Sequence, residues 1–146
     1  MIAIIDYGAG NLRSVENALG AIGTRYTVAS TAAGIEGASK VILPGVGHFG
    51  QIARELDAVS ARDAVSLRTA ILQHIAADKA FLGVCLGMQV LFASSDEATG
   101  AAGLGILPRL RSAHFRPSAG CQLHNRQLRS QQAFRRRQLL LELRIF

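Results

Sequence analysis

The 146-residue sequence contains no tryptophan, only two cysteines and only three prolines. Two cysteines cannot make the disulfide framework of a small secreted domain, so Cys85 and Cys121 read as free thiols in a reducing compartment. Long apolar runs are missing as well, and none approaches the ~20 residues of a membrane span. The opening Met1-Ile2-Ala3-Ile4-Ile5-Asp6 has no basic segment ahead of a long apolar stretch, so no signal peptide is expected. These absences predict a cytoplasmic protein that does not act at a membrane. Apolar residues make up 49% and charged residues 18%, which excludes disorder throughout the chain. The length suits one domain.

One kind of charge is missing from one part of the chain. Residues 106–146 contain nine Arg, no Lys and a single acid, Glu142, whereas residues 1–105 hold seven basic and nine acidic residues. The whole net charge of +6 therefore arises in the last stretch. That stretch also lacks Val, Thr, Asp, Tyr and Met, while residues 1–105 contain eight Val and five Thr. The composition changes near Pro108. The expected organisation is an α/β domain over residues 1–108, followed by an Arg-rich tail over residues 109–146.

Residues 1–105 alternate between strand and helix signals. Met1–Asp6, Tyr26–Ala29, Lys40–Leu43 and Ala80–Val84 read as short buried strands. Asn11 can cap a helix carrying Leu12, Val15, Leu19 and Ile22, which Gly23 ends. Ala32–Ala38 is a weak helix interrupted by glycine. Arg62–Ala77 reads as a longer helix with Val65, Leu67, Ile71, Leu72 and Ile75 on one side, and Leu86–Ala93 as a short helix following the fourth strand without a spacer. Alternation of this kind predicts a doubly wound, mostly parallel sheet of flavodoxin-like type. Such sheets bind ligands beyond the carboxyl ends of their strands. Glycine-marked turns lie at three such ends: after Asp6, after Leu43 and after Val84.

The third of these turns carries chemistry. Gly83-Val84-Cys85-Leu86-Gly87 has the G-x-nucleophile-x-G pattern of a strand-to-helix elbow, with Cys as nucleophile. A helix N-terminus behind Cys85 favours thiolate, and the Leu86 backbone N–H is placed to donate to an oxyanion. A structural buried cysteine is the bland alternative on residue type alone. A thiolate usually needs a base. Of the four histidines, His74 is expected to face solvent from mid-helix, and His48 is the only stand-in near the strand ends. His114 and His124 fall in the tail. Gly8-Ala9-Gly10 lacks the third glycine of a dinucleotide loop because Arg13 stands in its place, so no cofactor is expected, nor any metal.

Four segments together resemble a known family: Ile5-Asp6-Tyr7-Gly8-Ala9-Gly10-Asn11-Leu12-Arg13-Ser14-Val15, Leu43-Pro44-Gly45-Val46-Gly47-His48-Phe49-Gly50, Gly83-Val84-Cys85-Leu86-Gly87-Met88-Gln89 and Gly103-Leu104-Gly105. They are similar, over residues 1 to about 108, to the glutaminase subunits of imidazole glycerol phosphate synthase, class I glutamine amidotransferases of histidine biosynthesis. The resemblance implies hydrolysis of glutamine to glutamate and ammonia, with ammonia passed to a cyclase partner built as a (β/α)8 barrel. It implies Cys85 as the nucleophile that forms a glutamyl thioester. It places Val46, Gly47 and Leu86 at the oxyanion hole, and Gln89 and Glu97 against the glutamine substrate.

After Ile106-Leu107-Pro108 the family motifs stop. The family's P-H-M-G-W-N stretch and its late H-x-E unit, which supplies base and acid, have no counterpart. The expectation is a change of reading frame near codon 109, a truncated amidotransferase and very low activity. A basic helix around Arg135-Arg136-Arg137 that binds nucleic acid is the alternative reading of the tail. The aromatic residues there show no stacking pattern, and no nucleic-acid partner is expected. Two further functions stay open: a non-catalytic module that docks on the cyclase, and a cysteine hydrolase with His48 as base.

Overall fold

A computed structural model describes residues 1–59 and 63–107. The expected tail, 109–146, lies outside the described residues, as do Cys121, His114, His124 and Arg62 at the start of the expected long helix.

Four strands form one sheet in the order β2-β1-β3-β4: β1 (Ile2–Ile5), β2 (Tyr26–Ala29), β3 (Lys40–Gly45) and β4 (Ala80–Cys85). Every pair is parallel. The strand order reverses between β1 and β3, because β1 leads outward to β2 and β3 leads outward to β4 in the opposite direction. This is the topological switch point at which open α/β sheets form their binding crevice. The expected doubly wound α/β class is what these residues form.

Side-chain alternation divides the core between the two faces. Ala3, Ile5, Val41 and Leu43 join the larger cluster on one face. That face is covered by α2 (Ala32–Glu36), α3 (Phe49–Asp57), α4 (Leu67–Ala76) and α5 (Leu86–Gln89). Ile4 and Ile42 face the other way, against Leu19 of α1 (Leu12–Ala21). On β4 no described residue covers the second face in this way, and Leu82 and Val84 are 43% and 40% exposed.

Capping fixes the helix starts. The side chains of Asn11, Thr31 and Ser66 accept hydrogen bonds from Ser14 N, Gly34 N and Thr69 N, each at 3.3 Å, and so satisfy donors in the first turns.

Several boundaries differ from expectation for physical reasons. β3 runs on through Pro44 to Gly45, because the edge it shares with β4 continues to the pair Gly45↔Cys85. α4 starts at Leu67 because Ser66 caps it there, so Val65 precedes the helix. Its buried stripe is Leu67, Ala70, Ile71 and His74, at spacings of three and four. His74 is therefore only 5% exposed, contrary to the solvent-facing position expected of it. Its Nε2 lies 3.0 Å from the Ala80 carbonyl, which acts as acceptor and ties α4 to the start of β4. Ile22, expected on the apolar side of α1, is its C-cap and 71% exposed. α5 ends at Gln89 rather than Ala93, since Leu91 N and Phe92 N bond back to Met88 O and Gln89 O in tight turns. The chain then enters bridges that pair Phe92 with Leu107 and Ser94 with Ala102.

Candidate active site

The elbow is the strained point of the backbone. Cys85 has φ 54° and ψ −113°, a combination that costs a non-glycine residue about 1–3 kcal/mol and persists only where surroundings enforce it. Close packing does the enforcing. A Cβ on Gly87 would lie 1.9 Å from the Leu43 carbonyl oxygen, and one on Gly83 would lie 2.5 Å from the Gly87 oxygen. A Cβ on Gly45 would meet Gly87 N at 2.6 Å. Three glycines thus let β3, β4 and the first turn of α5 interlock. The result turns Cys85 outward, where it is a free and exposed cysteine. A buried structural cysteine, the bland alternative, is excluded.

Leu86 is the first residue of α5, so its backbone N–H has no intrahelical acceptor. Because Gly45 pairs with Cys85, the Val46–Gly47 turn leaves β3 beside the elbow. Val46 is half exposed, and Gly47 has φ 103°, in the region that favours glycine. Gln89 closes α5 one turn after Cys85 and is partly buried.

Glu97 reaches the same end of the sheet from a later loop. Its Oε2 accepts the Phe49 N–H at 3.4 Å, which puts a carboxylate on the N-terminus of α3 beside Gly47 and His48. Ser95 orients this loop by accepting the Glu97 N–H at 3.2 Å. The sequence places Cys85 and Glu97 twelve positions apart, and the fold sets both at the carboxyl ends of β3 and β4.

His48 is the N-cap of α3, and its Nδ1 accepts from Gly50 N at 3.1 Å. The lone pair a general base needs is therefore engaged by the helix, and protonation of Nδ1 would remove the cap. His74, bonded to Ala80 O and buried, is also committed to structure. Among the described residues no histidine is free to pair with Cys85, and no cluster of three or more His, Cys, Asp or Glu could hold a metal.

Two residues that belong to this architecture were not legible as such. Tyr7 follows β1 and is 6% exposed at the switch point. Its hydroxyl is pushed above the ordinary 10.0 chiefly by burial, which outweighs an opposite pull from the Val46 backbone, with a lesser push from the charge of Cys85. Arg68 on α4 reaches the carbonyl oxygens of Ala102 at 2.8 Å, of Ala53 at 3.4 Å and of Gly103, and pairs with the Asp57 carboxylate. It anchors the Gly103-Leu104-Gly105 segment to α3 and α4. A groove of about 340 Å³ between α2 and α4 contains none of the candidate residues.

Comparison with known proteins agrees with this geometry. The model of the class-I glutamine amidotransferases matches residues 3–139. Proteins named imidazole glycerol phosphate synthase subunit HisH are similar over 108 residues: 45% identical in Methanothermobacter thermautotrophicus, covering 74% of this chain and 50% of that protein. The Chlorobium luteolum protein is 44% identical over 74% of this chain and 51% of its own length, and the Bacillus cereus B4264 protein 47% identical over 74% and 49%. The chain spans about half the length of the curated relatives it matches. With a nucleophile elbow at the carboxyl end of a parallel sheet and a family match along nearly all its length, this chain belongs to the class-I glutamine amidotransferases.

Proposed function

We propose that this chain derives from the glutaminase subunit of imidazole glycerol phosphate synthase and supplies the nucleophile of a glutamine-hydrolysing site in histidine biosynthesis. The observation that carries this reading is Cys85, held outward at φ 54° on a glycine-locked elbow. In the proposed reaction the Cys85 thiolate attacks the side-chain amide carbon of glutamine. The C=O electron pair moves onto oxygen, and the Leu86 N–H together with the Val46–Gly47 turn receives that oxyanion. The C–N bond then breaks, ammonia leaves with an added proton, and a glutamyl thioester remains on Cys85. Water cleaves the thioester to glutamate and restores the thiol. Gln89 and Glu97 contact the substrate in this reading, Glu97 from the mouth of the crevice. Ammonia passes to a cyclase subunit with a (β/α)8 barrel, in a cytoplasmic heterodimer that needs no cofactor.

Protonation of the leaving ammonia calls for an acid–base partner, and both described histidines are committed elsewhere. With no base among the described residues, and with the family's late H-x-E unit without a counterpart in the sequence, turnover is expected at roughly a thousandth of a complete triad or below. The engaged Nδ1 of His48 also weighs against a cysteine hydrolase that uses it as base.

The direct test is ammonia release from glutamine by this chain mixed with a cyclase subunit from a relative. Slow release that Cys85→Ala abolishes, with asparagine inert, is expected. Release indifferent to Cys85→Ala would overturn the reading.

A further inference from the structure

The Arg68 side chain joins two segments that the elbow itself does not hold together. A guanidinium presents its N–H donors in a fixed planar fork, and this one is largely buried. Toward α3, Nη2 donates to the Ala53 carbonyl at 3.4 Å and to Asp57 Oδ2 at 3.1 Å. Toward the later loop, Nη2 donates to Ala102 O at 2.8 Å and Nη1 donates to Gly103 O. These carbonyls form the base of a closed loop, because Ala102 bridges Ser94 and Gly103 N–H donates to Ala93 O at 3.0 Å. Glu97 stands within that loop, and the loop rests on the first turn of α3. A Cβ on Gly50 would lie 3.3 Å from the Ala98 Cβ, and Glu97 Oε2 accepts the Phe49 N–H at 3.4 Å. The loop is thus fastened to one helix at both ends, by Glu97 at Phe49 and by Arg68 toward Asp57, about 12 Å further along.

We propose that Arg68 is a positioning residue for Glu97: by clamping the base of the 94–102 loop to α3, it fixes how far the loop reaches along that helix and holds the Glu97 carboxylate at the crevice mouth. The proposal rests on the reading of Glu97 as a substrate contact, and Arg68 acts on the substrate only through it. The loop needs such a clamp, because Ser95 is its only buried residue and it has no apolar core of its own. The bond from Phe49 is long, so it tethers the carboxylate weakly by itself. A planar fork suits the task, since it engages acceptors on the helix and on the loop at once.

Two amides separate this role from packing. Phe49 is the first residue of α3, so its N–H has no acceptor within the helix, and its protection from exchange reports the bond to Glu97. Ile52 N–H, bonded to His48 O at 3.3 Å, reports the helix itself. Arg68→Met keeps a long apolar stem and removes the guanidinium. In R68M the exchange rate of Phe49 N–H relative to that of Ile52 N–H is expected to rise about tenfold. The glutamine concentration that half-protects Cys85 from iodoacetamide is expected to rise about tenfold as well, with alkylation in the absence of glutamine little changed. A merely structural role would speed both amides together, and an unchanged ratio overturns the proposal. A raised ratio with unchanged protection by glutamine overturns it too. If R68M does not fold, the unmutated chain decides: Phe49 N–H and Gly103 N–H are expected to open together, with one dependence on urea, and separate dependences overturn the proposal. The exchange ratio involves no glutamine. Failure of glutamine to protect the unmutated chain would therefore overturn the glutaminase reading, while the ratio still decides the clamp.

Discussion

A single methyl group tests the elbow. Ala at position 87 would set its Cβ 1.9 Å from the Leu43 carbonyl, a backbone atom that cannot move aside without parting β3 from β4. Gly87→Ala is expected to destabilise by about 3 kcal/mol or more in urea unfolding. Gly20→Ala, in α1 with nothing near its Cβ, is expected to stabilise by about 0.5–1 kcal/mol. Equal effects of the two would show that the close approach at the elbow is not enforced. Tyr7 gives a pH signature at the same scale. Its hydroxyl titrates above the ordinary 10.0, chiefly because burial penalises the phenolate. The unfolded chain then releases this proton at lower pH than the folded one. The associated stability is complete below pH 10.0 and falls as pH rises through the higher folded value. Unfolding curves of the wild type should lose stability above that pH more steeply than those of Tyr7→Phe, and parallel curves would contradict the burial of the hydroxyl.

Among the elements, Arg68 shows where an ion pair matters less than the contacts around it. Asp57 is 57% exposed and Arg68 only 16%, so the pair itself contributes little in screened solvent. The carbonyls of Ala53, Ala102 and Gly103 depend on the guanidinium more heavily. Arg68→Ala is expected to cost about 2–3 kcal/mol and Asp57→Ala under about 1 kcal/mol, measured by chemical unfolding. Strands and elbow were legible because short apolar runs, glycine turns and the nucleophile pattern are local signals. α3 was not read, although Phe49, Ile52, Ala53 and Leu56 fall at helical spacing and are all buried. The glycines of the preceding turn and Gly50 in its first turn masked that period. His74 was misread because beside Ile75 it looked like the polar edge of a stripe, whereas the capping at Ser66 sets the stripe that buries it. The place of Glu97 at the N-terminus of α3 depends on tertiary placement, which sequence spacing does not encode, whereas His48 caps that helix through a local bond from Gly50 N. Arg68 carries no motif, and Tyr7 lies in the Ile5–Val15 segment without a chemical role that the segment signals, so both became visible only through their neighbours.

At the scale of the whole molecule, β4 is the edge strand among the described residues, and Leu82 and Val84 on its second face are exposed. Unpaired backbone groups beside exposed apolar side chains favour association. A Leu82→Lys, Val84→Lys pair should shift sedimentation toward the monomer while changing stability by less than about 1 kcal/mol, and unchanged association would place the contact elsewhere. The described residues hold one half of the proposed site: a candidate nucleophile, a candidate oxyanion turn and a carboxylate at the crevice mouth. That half must still recognise its substrate if the account is right. The measurement that bears on this most directly is the rate of Cys85 alkylation by iodoacetamide with and without glutamine, followed by peptide mapping. The account predicts that millimolar glutamine slows alkylation of Cys85 while asparagine does not. Equal rates in all three conditions, or a Cys85 inert to the reagent, would contradict it.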